Sequence, residues 1–317
     1  MMSLDKALKT VETVMETVVN SDVPVLRDAS HHILEAGGKR IRPRIVMLSY
    51  TATGGTNIEY AAPVAAAVEL VHTASVVHDD INDHGVMRRG RPSINAQWGR
   101  TFALLTGDFL FTKVYELMAP YSNLNVTLAQ ATVALVEGET LQAHAAKTGT
   151  LNREIYTQII ARKTAALFQA CARLGGELAG APDEQLEALS QYGFAVGMAF
   201  QIIDDILDLV ADAEELGKAA GVDIVQGKGL GAAYITGNGG QAAEAVALLV
   251  DESAANTSSD TLTSLKQRIL QGNAIEEGRI QARVFVQQAI ASLDVLPPSE
   301  AKDSLMETAH MVVNRSH

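Results

Sequence analysis

The chain has 317 residues, of which 47% are hydrophobic and 20% charged, enough apolar content to enclose a large core. A formal net charge of -12 argues against a nucleic-acid partner, because no general basic field exists to gather phosphates. The lone cysteine, Cys171, leaves no intrachain disulfide to form and points to a reducing, cytoplasmic setting.

Apolar residues recur at three- and four-residue steps along almost the whole sequence, which predicts helices punctuated by Gly and Pro. A helix over 25–36 stops at Gly37-Gly38, and Pro43 suits the first turn of the next. Another opens at Pro63 and runs through His72 and His78. Its richest apolar stretch, 61–71, is short and broken by Glu69, so no membrane span is expected. Helical patterns then cover 102–118, 125–146, 153–175, 183–212, 241–250, 261–271 and 274–293. No sustained alternation of β-branched and polar residues calls for a sheet, and no low-complexity linker divides the chain. One all-α domain over 1–317 is the economical expectation. Two loops matter: 86–95, and the glycine-rich 216–231, which suits a lid.

Two copies of Asp-Asp-x-x-Asp dominate the chemistry. The first is Asp79, Asp80 and Asp83 within HDDINDHG; the second is Asp204, Asp205 and Asp208 within FQIIDDILDLV. On a helix these three positions span about a 100° arc, which predicts that all three carboxylates leave one face together. Each copy is then a platform for a hard divalent cation. Magnesium takes one or two carboxylates, keeps several waters and completes its octahedron with substrate phosphate. A lone copy would read equally well as a solvated acidic face. The second copy, however, lies among Phe200, Ile202, Ile203, Leu207 and Leu209, where charge is costly unless compensated.

Basic residues stand where a polyphosphate would need them. Lys39 and Arg42 flank the start of a helix, whose amides and dipole already favour an anion. Arg88 and Arg89 follow the first acidic copy closely enough to grip phosphate. Lys163, Lys218 and Lys228 are weak signals one by one. His72 lies nearly two turns before Asp79 and suits a hydrogen bond to diphosphate, whereas His78 more naturally packs or tunes the site. Neither has the partners of a zinc site, and no Ser-His-Asp or Cys-His arrangement can be made.

The motifs GGKRIRP, ELVHTASVVHDDINDHGVMRRGRPS, LLTGDFL, ARKTAALF and GMAFQIIDDILDLV, with the paired GK steps of the second loop, resemble the trans-isoprenyl diphosphate synthases, or polyprenyl synthetases. The resemblance runs through nearly the whole chain. It implies an all-α isoprenoid-synthase bundle around a deep central cavity, a homodimer, and three magnesium ions per site. Asp79 and Asp83 would hold two of these ions and Asp204 the third, with Asp80 and Asp208 supporting the clusters and Asp205 counted among the catalytic residues. Arg88, Lys163 and Lys218 would hold an allylic diphosphate. Lys39, Arg42, His72 and Arg89 would hold isopentenyl diphosphate, with Lys228 closing the loop, and Thr164 and Gln201 would line the carbocation.

The implied reaction is ionisation of the allylic diphosphate, condensation with isopentenyl diphosphate and loss of a proton to give an all-trans product. In the family, aromatics four and five residues before the first acidic motif floor the product channel; Ala74 and Ser75 stand there. Small side chains leave it open by about a helical turn, so the expected product is geranylgeranyl diphosphate or longer. The chain departs from the family at Ala219, where proline is common, and at Gly229-Leu230-Gly231, where Thr-Leu-Pro is common. Rival readings are a class I terpene cyclase and a non-catalytic subunit of a heteromeric synthase. The isopentenyl-site motif speaks against the first, and the two intact acidic motifs speak against the second.

Overall fold

The computed structural model describes residues 3–214, 229–231, 233 and 273–314. Among them are twelve α-helices: α1 (Leu4–Val18), α2 (Pro24–Glu35), α3 (Ile41–Ala52), α4 (Ile58–Asn82), α5 (Ile94–Trp98), α6 (Arg100–Met118), α7 (Asn125–Thr148), α8 (Arg153–Ile160), α9 (Ala166–Ala179), α10 (Asp183–Glu214), α11 (Ala274–Ser292) and α12 (Glu300–Val313). The all-helical expectation holds. The one sheet among the described residues is a hairpin of β1 (Met87–Arg88) and β2 (Arg91–Pro92). Its two-residue turn has positive φ at both Arg89 (51°) and Gly90 (75°), the conformation that matches strand twist in tight hairpins. The helical patterns at 241–250 and 261–271 lie outside the described residues.

Two element bounds differ informatively from the sequence pattern. Helix α4 begins at Ile58, five residues before Pro63, because the Asn57 carboxamide accepts a hydrogen bond from the Tyr60 N–H at 3.1 Å and Ile58 is buried. The pattern over 153–175 is α8 and α9 joined by a five-residue π-helix, Ala161–Ala165. Helix α4 as a whole is also long and apolar enough to cross a membrane, despite Glu69. However, 72% of its most apolar window is buried inside the protein, as in a core helix.

By contacts the chain forms two compact units, each discontinuous in sequence. The first comprises residues 1–132, 170–190 and 295–305. Within it α4 packs against α1, α3 and α6, and sixteen of its residues between Ile58 and Ile81 are buried on several faces, so its pattern is apolar nearly all round rather than striped. Gly175 of α9 lets the α3 backbone approach, since a Cβ there would stand 2.4 Å from the Val46 carbonyl oxygen.

The second unit comprises 133–169, 191–294 and 306–317. Its described core includes Phe168 and Phe200, whose rings lie 5.1 Å apart. Gly193 and Gly197 of α10 give close passage to α9 and the π-helix: added Cβ atoms would meet the Phe168 carbonyl oxygen at 2.4 Å and the Ala165 Cα at 2.6 Å.

Candidate active site

The first acidic motif closes α4. The Asp83 N–H donates to the Asp79 carbonyl, the Gly85 N–H donates to the Asp80 carbonyl, and His84 takes a left-handed φ of 53° to end the helix. A helix C-terminus already carries partial negative charge, so carboxylates gathered there create a strong demand for cations. The three do not leave together. Asp80 is buried and accepts from Arg88 at 3.1 Å (Nε) and 2.6 Å (Nη2), whereas Asp79 is half-buried and Asp83 exposed. The physical reason is angular: the second aspartate sits farthest around the 100° arc, on the flank that meets the hairpin. Burial would lower the pKa of Arg88, but its hydrogen bond to Asp80 and the charges of Asp80, Asp79 and Asp83 outweigh that and hold it raised.

The hairpin is placed by several ties within the same unit. The Ser93 hydroxyl donates to the Gly85 carbonyl at 2.6 Å and caps α5 by accepting from the Ala96 N–H. Arg91 meets Glu35 at 3.3 Å, and His32 bonds the Pro92 carbonyl at 2.8 Å. This brings Arg89 over the glycine turn of GGKRIRP, where a Cβ on Gly38 would stand 2.8 Å from Arg89 Nη1. A side chain on Gly38 would displace the Arg89 guanidinium from this place.

His72 belongs to this basic cluster. Burial, and then the charges of Arg42, Arg89, Arg88 and Arg40, push its imidazole well below the usual value, so it is neutral and able to donate from one ring nitrogen. Burial also lowers Arg89, with Glu69 opposing. Of the predicted anion ligands, Lys39 is exposed and Arg42 half-buried. His78 faces α6, with Nε2 at 3.4 Å from both the Leu104 carbonyl and Asp108 Oδ1, in a space that exists because residue 107 is glycine. It packs against that helix. Ala74 is fully enclosed, and Ser75 is half-buried with its hydroxyl donating to the His72 carbonyl.

Arg40, the unassigned member of GGKRIRP, is the anchor of that segment. It caps α3 with a left-handed φ of 47° and donates to Glu69 Oε1 at 3.0 Å and to the Leu34 carbonyl at 3.1 Å. Glu69, a lone charge in an apolar run, required such a partner.

In the second unit the second motif repeats the division of labour. Asp205 is buried and accepts from the Tyr156 hydroxyl at 2.7 Å, the Gln201 side-chain amide at 2.8 Å and the Leu230 N–H at 3.2 Å. Asp204 is half-buried and Asp208 exposed. The Thr164 hydroxyl donates to Gln201 Oε1 at 2.7 Å, so the two residues assigned to the carbocation are hydrogen-bonded to each other. Lys163 pairs with Glu139 of α7 and lies 3.4 Å from Gln142 Oε1. The π-helix approaches α7 there at Gly138, where a Cβ would stand 2.5 Å from the Lys163 backbone nitrogen. Lys218 and Lys228 lie outside the described residues.

Among the described residues no three His, Cys, Asp or Glu side chains are already gathered around one point as a closed metal site. Oxygen-only pairs that reach the surface beside a third carboxylate held by donors fit an ion that keeps much of its water and takes the rest of its ligands from phosphate. Tyr156, Glu139, Glu69 and Arg40 are the positioning groups that motif reasoning did not single out. The one sequence signal among them is the isolated Glu69.

The polyprenyl synthetase family model matches residues 23–254. All-trans-nonaprenyl-diphosphate synthase (geranyl-diphosphate specific) of Rhodobacter capsulatus is 35% identical over 302 residues, covering 94% of this chain and 91% of that protein. Heptaprenyl diphosphate synthase component 2 of Geobacillus stearothermophilus is 36% identical over 316 residues, 99% of this chain and 97% of that one. A crystal structure of polyprenyl synthase from Caulobacter crescentus, complexed with calcium and isoprenyl diphosphate, superposes with a TM-score of 0.90 at 31% identity, covering 99% of this chain and 96% of that chain. With the family model over more than half its length and full-length relatives above 30% identity, this chain belongs to the polyprenyl synthetase family.

Proposed function

We propose that the chain condenses isopentenyl diphosphate with an allylic diphosphate (dimethylallyl, geranyl or farnesyl) to give an all-trans prenyl diphosphate of geranylgeranyl length or longer. The observation that carries this reading is that both acidic motifs are intact and sort their carboxylates alike, one held inward by donors and two reaching the surface. A chain retaining only the scaffold would have no reason to keep both. The longer product is supported by the small residues at 74 and 75, and by relatives named for heptaprenyl and nonaprenyl products.

In this reading Asp79, Asp83 and Asp204 hold magnesium, three ions per site, and both motifs serve one turnover of a single catalytic domain spanning the chain. Magnesium, when bound, neutralises the diphosphate so that it can depart from the allylic carbon. Arg88, Lys163 and Lys218 grip the allylic diphosphate, and Lys163 exchanges its Glu139 partner for that anion. Lys39, Arg42, neutral His72 and Arg89 hold isopentenyl diphosphate. Thr164 and Gln201 direct oxygen dipoles at the cation, and Lys228 secures the loop against water. No side chain stands out as a dedicated base, and the released diphosphate itself suits removal of the final proton.

A homodimer in the cytoplasm completes the reading. On α6, within the first unit, Phe102, Leu104, Leu105 and Tyr115 are between 42% and 76% exposed, an apolar surface of the kind subunit contacts cover. A second reading, a chain that turns over only with a different partner subunit, is favoured by the likeness to a protein named as component 2 of a synthase.

Incubating the purified chain with magnesium, labelled isopentenyl diphosphate and each allylic primer tests this. Elongated diphosphates support the synthase, cyclic hydrocarbons would make it a cyclase, and no turnover by the chain alone would favour the partner-dependent reading.

A further inference from the structure

The last turn of α2 is joined to two of the segments that the functional reading assigns to isopentenyl diphosphate. Its backbone runs directly into the glycine turn of GGKRIRP, and the Leu34 carbonyl accepts from the Gly37 N–H and from Arg40 Nη2, each at 3.1 Å. Its side chains reach the hairpin. His32 Nε2 lies 2.8 Å from the Pro92 carbonyl oxygen, and Glu35 meets Arg91 at 3.3 Å. A carbonyl only accepts, so the imidazole nitrogen that faces Pro92 carries the hydrogen. The ring is half-buried and set edge-on to Trp98 of α5, with centroids 5.1 Å apart and planes at 74°.

We propose that His32 is a positioning residue for isopentenyl diphosphate: it sets the place of Arg89 over the glycine turn by tying the hairpin to the helix from which that turn emerges. The proposal rests on the prenyl-condensation reading, in which Arg89 holds this diphosphate together with Lys39 and Arg42. Strands of two residues do not hold their own place. The root of the hairpin is fixed, since the Ser93 N–H donates to the Val86 carbonyl at 3.0 Å and the Ser93 hydroxyl to the Gly85 carbonyl at 2.6 Å. Its first strand is drawn to α4 by Arg88 on Asp80. Its second strand is drawn to α2 by His32 and by the Arg91–Glu35 pair, whose side chains are 44% and 63% exposed, where an ion pair contributes little. The His32 bond is the firmer tie on that side. Arg89 stands at the turn between the strands with its guanidinium against Gly38. Loss of the tie lets the second strand part from α2 and carries Arg89 off Gly38, while Arg88 stays on Asp80.

The test is steady-state kinetics of the full chain with magnesium, isopentenyl diphosphate and an allylic primer, for wild type, His32→Phe and His32→Gln. Phenylalanine keeps a ring beside Trp98 and removes only the donor; Pro92 is exposed, so water takes the donor's place. Glutamine returns an N–H at nearly the reach of Nε2. In His32→Phe, KM for isopentenyl diphosphate should rise about fivefold, while kcat and KM for the primer stay within about twofold. His32→Gln should bring that KM back to within about twofold of wild type. His31→Phe is the control, since it removes a histidine bond from the neighbouring position of α2, to Asn20 at 3.1 Å, and should keep all three constants within about twofold. An unchanged KM for isopentenyl diphosphate in His32→Phe, an equal rise in both KM values, no restoration by glutamine, or the same rise in His31→Phe would overturn the proposal. If His32→Phe does not fold, His32→Ser, which fits wherever the imidazole did, replaces it, with the same split expected and wild-type KM values overturning. Wild type in the same assay separates the two levels. No elongation by wild type refutes the functional reading and the proposal with it, whereas elongation by wild type with unimpaired His32→Phe refutes only the positioning role.

Discussion

The Arg40 guanidinium and the Glu69 carboxylate form a buried ion pair at 3.0 Å, with side chains 10% and 5% exposed. The pair holds a residue of left-handed backbone at the head of α3, between Lys39 and Arg42, so it sets where those two cations begin. Replacing Glu69 by Gln leaves the enclosed Arg40 to Glu12, whose half-exposed carboxylate lies farther off at 3.6 Å, a change that costs about 3 kcal/mol. Thermal and urea unfolding of Glu69→Gln should show that loss, with KM for isopentenyl diphosphate rising more than KM for the allylic substrate. An unchanged unfolding midpoint would contradict it.

Asp80 and Asp79 should fail in different ways. Asp80→Asn keeps the shape but weakens the charge-assisted bonds that place Arg88, a loss of about 1.5–3 kcal/mol or roughly tenfold and more in binding. It should therefore raise KM for the allylic diphosphate. Asp79→Asn leaves Arg88 held and should instead lower kcat and raise the magnesium concentration needed for half-maximal rate. Equal effects of both variants on the magnesium requirement would refute the division of roles.

His72 makes stability depend on pH in a predictable direction. Its folded-state pKa lies well below the usual 6.5, so between those two values the unfolded chain binds the proton and the folded chain does not. Stability from this group is present above about 6.5 and is lost as pH falls from there toward the folded-state value. Melting temperatures of the wild type should drop more between pH 7.5 and 5.5 than those of His72→Gln. A bound anion offsets the surrounding arginines, so inorganic diphosphate should shrink the difference.

Product length tests the two small residues separately. Ser75 is half-buried, so Ser75→Phe should shorten the prenyl chain with little loss of stability. Ala74 is fully enclosed, and Ala74→Phe should also overpack α4 at a cost of about 1–3 kcal/mol. Chromatography of the dephosphorylated products, beside thermal melts, reads both; an unchanged product from both variants would remove the floor from this helix.

Most helices were legible in the sequence because their apolar faces are strong and their ends carry glycine, proline or a capping side chain. Asn125 and Asp183 open α7 and α10 where the pattern begins. The long apolar α4 was harder to bound, since a helix buried on several faces shows no stripe and Asn57 is a quiet signal beside Pro63. At the site, the paired acidic motifs and their basic company could be read directly, because charge in apolar surroundings demands a partner. What could not be read was which aspartate of each motif turns inward. That depends on Arg88 and Tyr156 arriving from other elements, which no spacing within the motif encodes; Gln201, four residues before Asp205 on α10, is the one of these partners that the motif contains. Glu139 was hidden for the same reason: one carboxylate on a surface helix resembles any other until Gly138 lets Lys163 come close.

The wide turn at Ala161–Ala165 uncouples the phase of the helix before it from the phase of the helix after it. Tyr156 and Ile160 can keep their registry upstream while Phe168 keeps its own downstream, with Lys163 and Thr164 on the stretch between. Excising a single residue there would restore ordinary winding, leave the two flanking helices in phase and turn only the side chains of the stretch between. The ammonium group and the hydroxyl owe their separate headings to one surplus residue, so a deletion at this point would disarm the enzyme more thoroughly than many substitutions of the groups themselves.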